Sequence, residues 1–222
     1  MSRVATGQAA ATATETNALT ARERRRLETR ERLFAAAVAE FGRTGTAAAE
    51  IGAVAEAVGV SRGTFYFHFP SKDHVLLELQ RRLEDDVVAH MRTLGIDAEN
   101  AAAAGAAPDM RAVFAVCAEG ILRVVESIDN DDLVREIMAL FVRGPSVPEL
   151  ASQPHPLVVE LVAHLEAAAD AGEIRSDVPA LQLAALFLNG MFGFLITSAD
   201  MSSELRVSIP VLIDVTMTGI GT

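Results

Sequence analysis

Arg62, Gly63, Thr64, Tyr66 and His68 crowd into seven residues, and Lys72 follows four positions on. Arginine can donate a bidentate pair of hydrogen bonds to a guanine edge, and threonine, tyrosine, histidine and lysine can reach phosphates or a thymine methyl. Lys72 is the chain's only lysine and Tyr66 its only tyrosine. Lys72 also stands in what reads as a first helical turn, where a cation opposes the helix dipole unless a phosphate offsets it.

These residues need a platform. Ser61 is suited to N-cap a short helix running to about Phe67, and Pro70 stops that helix. Before it, Ala47–Val58 reads as a second helix with Ile51, Val54 and Val58 inward. Gly59 between the two tolerates the positive φ of a tight helix-helix turn. Phe65 and Phe69 point inward with Val54, which leaves Arg62 and Tyr66, one turn apart, on the outer face beside Ser61, Gly63, Thr64 and Phe67. The pattern is a helix-turn-helix whose second helix fits a DNA major groove.

The charge distribution agrees. The 222-residue chain carries a net charge of −11, but residues 1–75 hold 10 Arg and Lys against 8 Asp and Glu, so a polyanion is accommodated only in the N-terminal third. Arg22, Arg24, Arg25 and Arg26, interleaved with Glu23 and Glu28, read either as a solvated helix face or as a further DNA contact. The single cysteine, Cys117, excludes an intrachain disulfide or a cysteine metal cluster. Residues 1–20 are rich in Ala and Thr, lack the apolar core of a signal peptide and read as a disordered tail.

The rest of the chain is helical in period, so the expected fold class is all-α. Helices are expected over Arg22–Gly42, from Ser71, as cap, to about Thr93, and over Asp109–Glu126, Asp131–Val142, Leu157–Ala171, Val178–Ala199 and Ser203–Gly219, the last kinked at Pro210. Gly95–Pro108 and Arg143–Pro156 read as connections. Val178–Ala199 holds no charged residue. That passes the length test for a membrane span, but Pro179, Gln182 and Asn189 and the absence of basic flanks favour a buried helix. Met110, Phe114, Cys117, Ile121, Met138, Phe141 and Leu161 recur at helical spacing. Such stripes form cores, and together they suit a bulky apolar ligand, with His155 and His164 as the polar groups. His74 and Glu78 are four apart with His90 beyond, but no metalloprotease pattern, nucleophile-base pair or phosphate loop is visible, so an enzyme is not expected and no cofactor is implied.

Thr29-Arg30-Glu31-Arg32-Leu33, Ala37, Phe41, Gly45, Val54-Ala55, Gly59-Val60-Ser61 and Thr64 through Lys72 together resemble the DNA-binding head of the TetR/AcrR family of transcriptional regulators. The resemblance is gap-free over about 50 residues, and Ala171–Val178 is similar to the segment ahead of that family's dimerisation helices. It implies a cytoplasmic, homodimeric, ligand-responsive repressor of a palindromic operator. The expected organisation is a tail (1–20), a three-helix helix-turn-helix head (21–70) and a helical ligand-binding and dimerisation body (71–222). It also implies that Arg62, Gly63, Thr64, Tyr66, His68 and Lys72 approach DNA. The last two helices then pair with their copies through Leu181, Ala185, Leu188, Phe192, Leu195, Leu212 and Val215. An activator, or a body that senses a partner protein, stays open. The family's second helix usually starts with a Thr or Ser cap and a nearby cation; here Ala48-Ala49-Glu50 and Gly52 stand in that place, which shifts DNA binding toward Arg62–Lys72.

Overall fold

The computed structural model describes residues 20–98, 108–144, 155–197 and 201–221, with the side chains of 143 and 201–205 excepted. The expected tail and parts of both long connections lie outside the described residues. Nine helices occur among the described residues: α1 Ala21–Thr44, α2 Ile51–Val58, α3 Arg62–His68, α4 Lys72–Thr93, α5 Met110–Glu126, α6 Asp131–Arg143, α7 Pro156–Asp170, α8 Ala180–Thr197 and α9 Met201–Ile220. The fold is all-α, with one isolated antiparallel bridge, Ile174 to Gly221, tying the turn after α7 to the chain's end.

Local chemistry sets the helix limits. Thr20 and Glu23 form a reciprocal capping box at the start of α1. Asp109 and Asn130 accept backbone N–H groups at the starts of α5 and α6. The second helix is shorter than expected: it starts at Ile51, because Glu50 occupies the cap position without a side-chain cap bond. Ser71 does stand before α4, but its hydroxyl lies 2.8 Å from His74 Nδ1 instead of capping a backbone N–H. The helix α9 is continuous through Pro210.

The head, α1 to α3, closes on Leu33, Ala37, Phe41, Val54, Val58, Phe65 and Phe69, all buried. Gly59 takes the left-handed conformation at φ 76°, and Arg32 donates to the Val58 carbonyl at 2.9 Å, satisfying the end of α2. In the body, α5 packs on α4, α7 and α9, while α8 packs on α6, α7 and α9. Gly120 lets α4 and α5 approach closely, since a Cβ there would stand 2.9 Å from Val87 Cγ1. The apolar helix α8 is long and apolar enough to cross a membrane, yet Leu183, Phe187, Leu188, Met191, Phe192 and Leu195 are buried against the protein's own helices.

Head and body are joined along α1 and α4. Arg30 makes a two-pronged ion pair with Glu78 (3.0 and 2.8 Å) and lies over the Phe69 ring. Arg82 bridges Glu78 and Glu31 and lies over Phe34. The hydrogen bond from Arg30, reinforced by Arg82, holds the Glu78 carboxyl well below its ordinary value of 4.5, at about 2. A carboxylate depressed in the folded state contributes stability that is present above its unfolded pKa and is lost as pH falls from about 4.5 toward 2. The melting temperature should therefore drop between pH 5 and 3, and Glu78→Gln should flatten that drop at a cost on the order of 2 kcal/mol at pH 7, measured by thermal melts across pH.

Candidate functional site

The outer face of α3 is built on a buried inner face. Phe65 is fully buried, 5.8 Å from the ring of Phe69 and edge-on to Tyr66 at 5.5 Å. That packing turns Tyr66 (44% exposed) and Phe67 (71% exposed) outward beside exposed Ser61, Arg62 and Gly63. The Ser61 hydroxyl accepts from Thr64 N–H at 3.1 Å and lies 2.9 Å from the Thr64 hydroxyl, so these two side chains steady the first turn. Gly52 lies beside the Arg62 stem: a Cβ at that position would stand 3.9 Å from Arg62 Cδ, an ordinary contact, so a side chain as small as alanine would also fit.

Two residues of the expected phosphate set are differently engaged. The Lys72 ammonium donates to the carbonyls of Thr46 (2.6 Å) and Ala47 (3.1 Å), stapling the start of α4 to the α1–α2 turn. These carbonyls supply the negative partner that a lysine in a first helical turn needs, and one N–H remains for a phosphate. Partial burial, with Arg26 and Arg30 nearby, pushes the His68 imidazole below its ordinary pKa, so it is neutral at pH 7 and offers a hydrogen bond rather than a charge. Arg22, Arg24, Arg25 and Arg26 are exposed along the first turns of α1, and the Arg26 guanidinium lies 6.0 Å from the Phe67 ring centre. They share the head's outer surface with α3.

In the body a cavity of about 30 Å³ lies among α4, α5, α6, α7 and α8. Of the residues proposed from sequence for ligand contact, Ile121, Met138 and Phe141 line it. Met110, Phe114, Cys117, Leu161 and His164 do not and belong to the packed core. Phe114 stacks on Phe187 at 4.3 Å. Cys117 is fully buried, and burial raises its thiol pKa. His164 is buried near Glu160, and burial lowers its pKa. Sequence reasoning missed Gln80 and Glu84 in the cavity wall. Their signal is visible in retrospect: they take inward positions on the α4 stripe of Leu76, Leu83, Val87 and Met91, where apolar residues are expected.

The two C-terminal helices also correct the sequence reading. Leu188 and Leu195 are fully buried, and Phe192 lines the cavity, so this stripe faces the protomer's own core and not a partner. Ala185 and Leu212 are half-buried, Leu212 packing over Gly190. The exposed apolar face consists of Leu181, Leu186 and Phe194 on α8 with Val207, Val211 and Val215 on α9.

Known proteins resemble this chain in sequence and fold. Residues 33–79 match the model of "Bacterial regulatory proteins, tetR family". The HTH-type transcriptional regulator UidR of Escherichia coli K12 is 28% identical over 180 residues, covering 79% of this chain and 83% of that protein. Among solved structures, Salmonella enterica GusR is 26% identical with a TM-score of 0.58, over 87% of this chain and 95% of that one. Thermus thermophilus FadR, a transcriptional repressor solved with lauroyl-CoA, has the same fold at 23% identity and a TM-score of 0.61, over 86% of this chain and 94% of that one. These relatives are regulators and not enzymes. A buried Phe65 that turns Arg62 and Tyr66 outward thus lies within the stretch, residues 33–79, that is similar to the tetR family of bacterial regulatory proteins.

Proposed function

We propose that the protein is a cytoplasmic, homodimeric repressor that releases a palindromic operator when an apolar small molecule enters the body cavity. The observation that carries the DNA half is the exposed row Arg62, Tyr66 and Phe67 on a helix locked from behind by Phe65. In this reading 21–70 is the DNA-binding unit and 71–222 the sensing and dimerisation unit. Arg62 reads a base edge, and Ser61, Gly63, Thr64, Tyr66, Phe67, His68 and the third N–H of Lys72 contact the sugar-phosphate backbone or base methyls. The exposed apolar faces of α8 and α9 pair with their copies and set two α3 helices about one DNA turn, roughly 34–36 Å, apart.

Support for effector control comes from α4, which carries Lys72 and the Glu78 ion network at its head end and Gln80, Leu83, Glu84 and Val87 in the cavity wall. A ligand that fits only one setting of α4 shifts the two-state balance by its difference in affinity for the two states. At about 30 Å³ the cavity holds little more than a water molecule, so an effector must displace side chains to enter. That small size favours a second reading, in which the body senses a partner protein.

The test is a mobility-shift titration against the native operator at fixed salt. Arg62→Ala should weaken binding by 1–3 kcal/mol, roughly 5- to 150-fold, and relax preference at one base pair, with the melting temperature unchanged. Wild-type affinity in that variant rules out α3 as the reading helix.

A further inference from the structure

Arg26 and Arg30 stand one turn apart on α1, and each lies over an aromatic ring at the end of α3. The Arg30 guanidinium is 4.5 Å from the Phe69 ring centre, and its fork is filled by both oxygens of Glu78. The Arg26 guanidinium is 6.0 Å from the Phe67 ring centre and makes no hydrogen bond or ion pair among the described residues. The carboxylates nearby are engaged elsewhere. Glu23 accepts the Thr20 N–H at 2.8 Å, Glu31 holds Arg82 at 2.6 and 2.7 Å, and Glu78 holds Arg30 and Arg82. Glu28 lies two positions on, about 200° around the helix. Arg26 and Phe67 are both exposed.

An exposed phenylalanine on a face that meets DNA has no O–H or N–H to give a phosphate. The guanidinium beside it has five donors, and an aromatic face steadies an arginine without using them. Burial, and then the positive field of Arg26 and Arg30, keep the neighbouring His68 neutral, so the charge at this end of α3 is that of Arg26. The start of α2 offers no substitute, because exposed Glu50 stands there without a side-chain cap bond. We propose that Arg26, seated beside α3 by the Phe67 ring, is a ligand for a DNA backbone phosphate at the edge of the groove that α3 enters. This rests on the reading of α3 as the DNA-reading helix and adds a residue of α1 to it. Arg62 meets a base edge, whereas Arg26 meets a group that every base pair carries, so its loss weakens binding to all sequences alike.

The experiment is an anisotropy titration of the full chain across about 50 to 200 mM salt. Its probes are a duplex that the wild-type protein selects from a random-sequence pool, and the same bases shuffled. Arg26→Gln should weaken binding to both by roughly eightfold per protomer at about 0.1 M salt, and flatten the slope of log affinity against log salt by about 0.9 per protomer. Its melting temperature should not move, since the side chain is exposed. Arg24→Gln removes the same charge about 200° around α1 and should change the slope by less than half as much. Phe67→Ala should flatten the slope in part, and only while Arg26 is present. An unchanged slope in Arg26→Gln overturns the inference, as does an equal change from Arg24→Gln or a full slope in Phe67→Ala. The reading of α3 fails differently: it falls if Arg62→Ala discriminates the selected from the shuffled duplex as well as wild type does. A wild-type protein that selects no duplex overturns both.

Discussion

Leu186→Asp combined with Val211→Asp is expected to give a folded monomer whose operator affinity falls by about 100-fold or more. Both side chains are exposed on adjoining helices, 68% and 60% respectively, so the protomer spends no burial on them and its melting curve should barely move. In a dimer they meet their copies, and four carboxylates brought into an apolar four-helix contact cannot be desolvated without a large cost. Losing the dimer turns binding of two linked half-sites into binding of one, which forfeits the effective concentration that linkage supplies, worth 10²–10⁴ in affinity. Sedimentation, circular dichroism and a mobility shift on the same samples separate the steps. Leu188→Asp is the control: Leu188 is fully buried within the protomer, and a charge there should unfold the body instead of parting two intact subunits. A double variant that remains dimeric would move the interface off this face.

The second large effect concerns the head. Phe65→Ala should cost about 3–5 kcal/mol, enough to melt α3 and abolish operator binding at any salt concentration. Phe65 is fully buried between Phe69 and the Tyr66 ring, and α3 has only seven residues, too few to persist without its packing anchor. Phe67→Ala, two positions away, should leave the melting temperature within about 0.5 kcal/mol of wild type, because Phe67 is mostly exposed. Chemical denaturation of the two variants side by side checks the contrast. Similar losses from both would mean that α3 is rotated relative to the orientation described here.

The head was largely legible in the chain because its signals are local. A serine cap, a left-handed glycine and aromatic residues spaced to one side of a single turn define α3 without knowledge of any distant contact. Legibility failed where two partners compete for one side chain. Lys72 reads as a phosphate ligand alone until the chain is folded, when its ammonium also donates to the Thr46 and Ala47 carbonyls. In α8 the cause was different. A helix with no charge anywhere offers several apolar stripes, and the most regular one, Leu188, Phe192 and Leu195, is kept by the protomer, leaving Leu186 and Phe194 outside. Gln80 and Glu84 sit on the inward stripe of α4, but a polar pair on such a stripe is not by itself the mark of a cavity wall. Their setting emerges only when His155, more than seventy residues on, arrives to occupy one carboxylate oxygen of Glu84.

Asn130 has a mechanical consequence. Its carbonyl oxygen caps α6 through Leu133 N–H at 2.7 Å, and its amide donates to the Gly42 carbonyl near the end of α1 at 2.5 Å. The head is thus fastened to the body at several separated places: at Lys72 and through Arg30, Glu78 and Arg82 on α4, and at this one asparagine at the start of α6. Both α4 and α6 wall the cavity. A head clamped to two walls of one cavity shifts when those walls move relative to each other, and keeps its place when they move together.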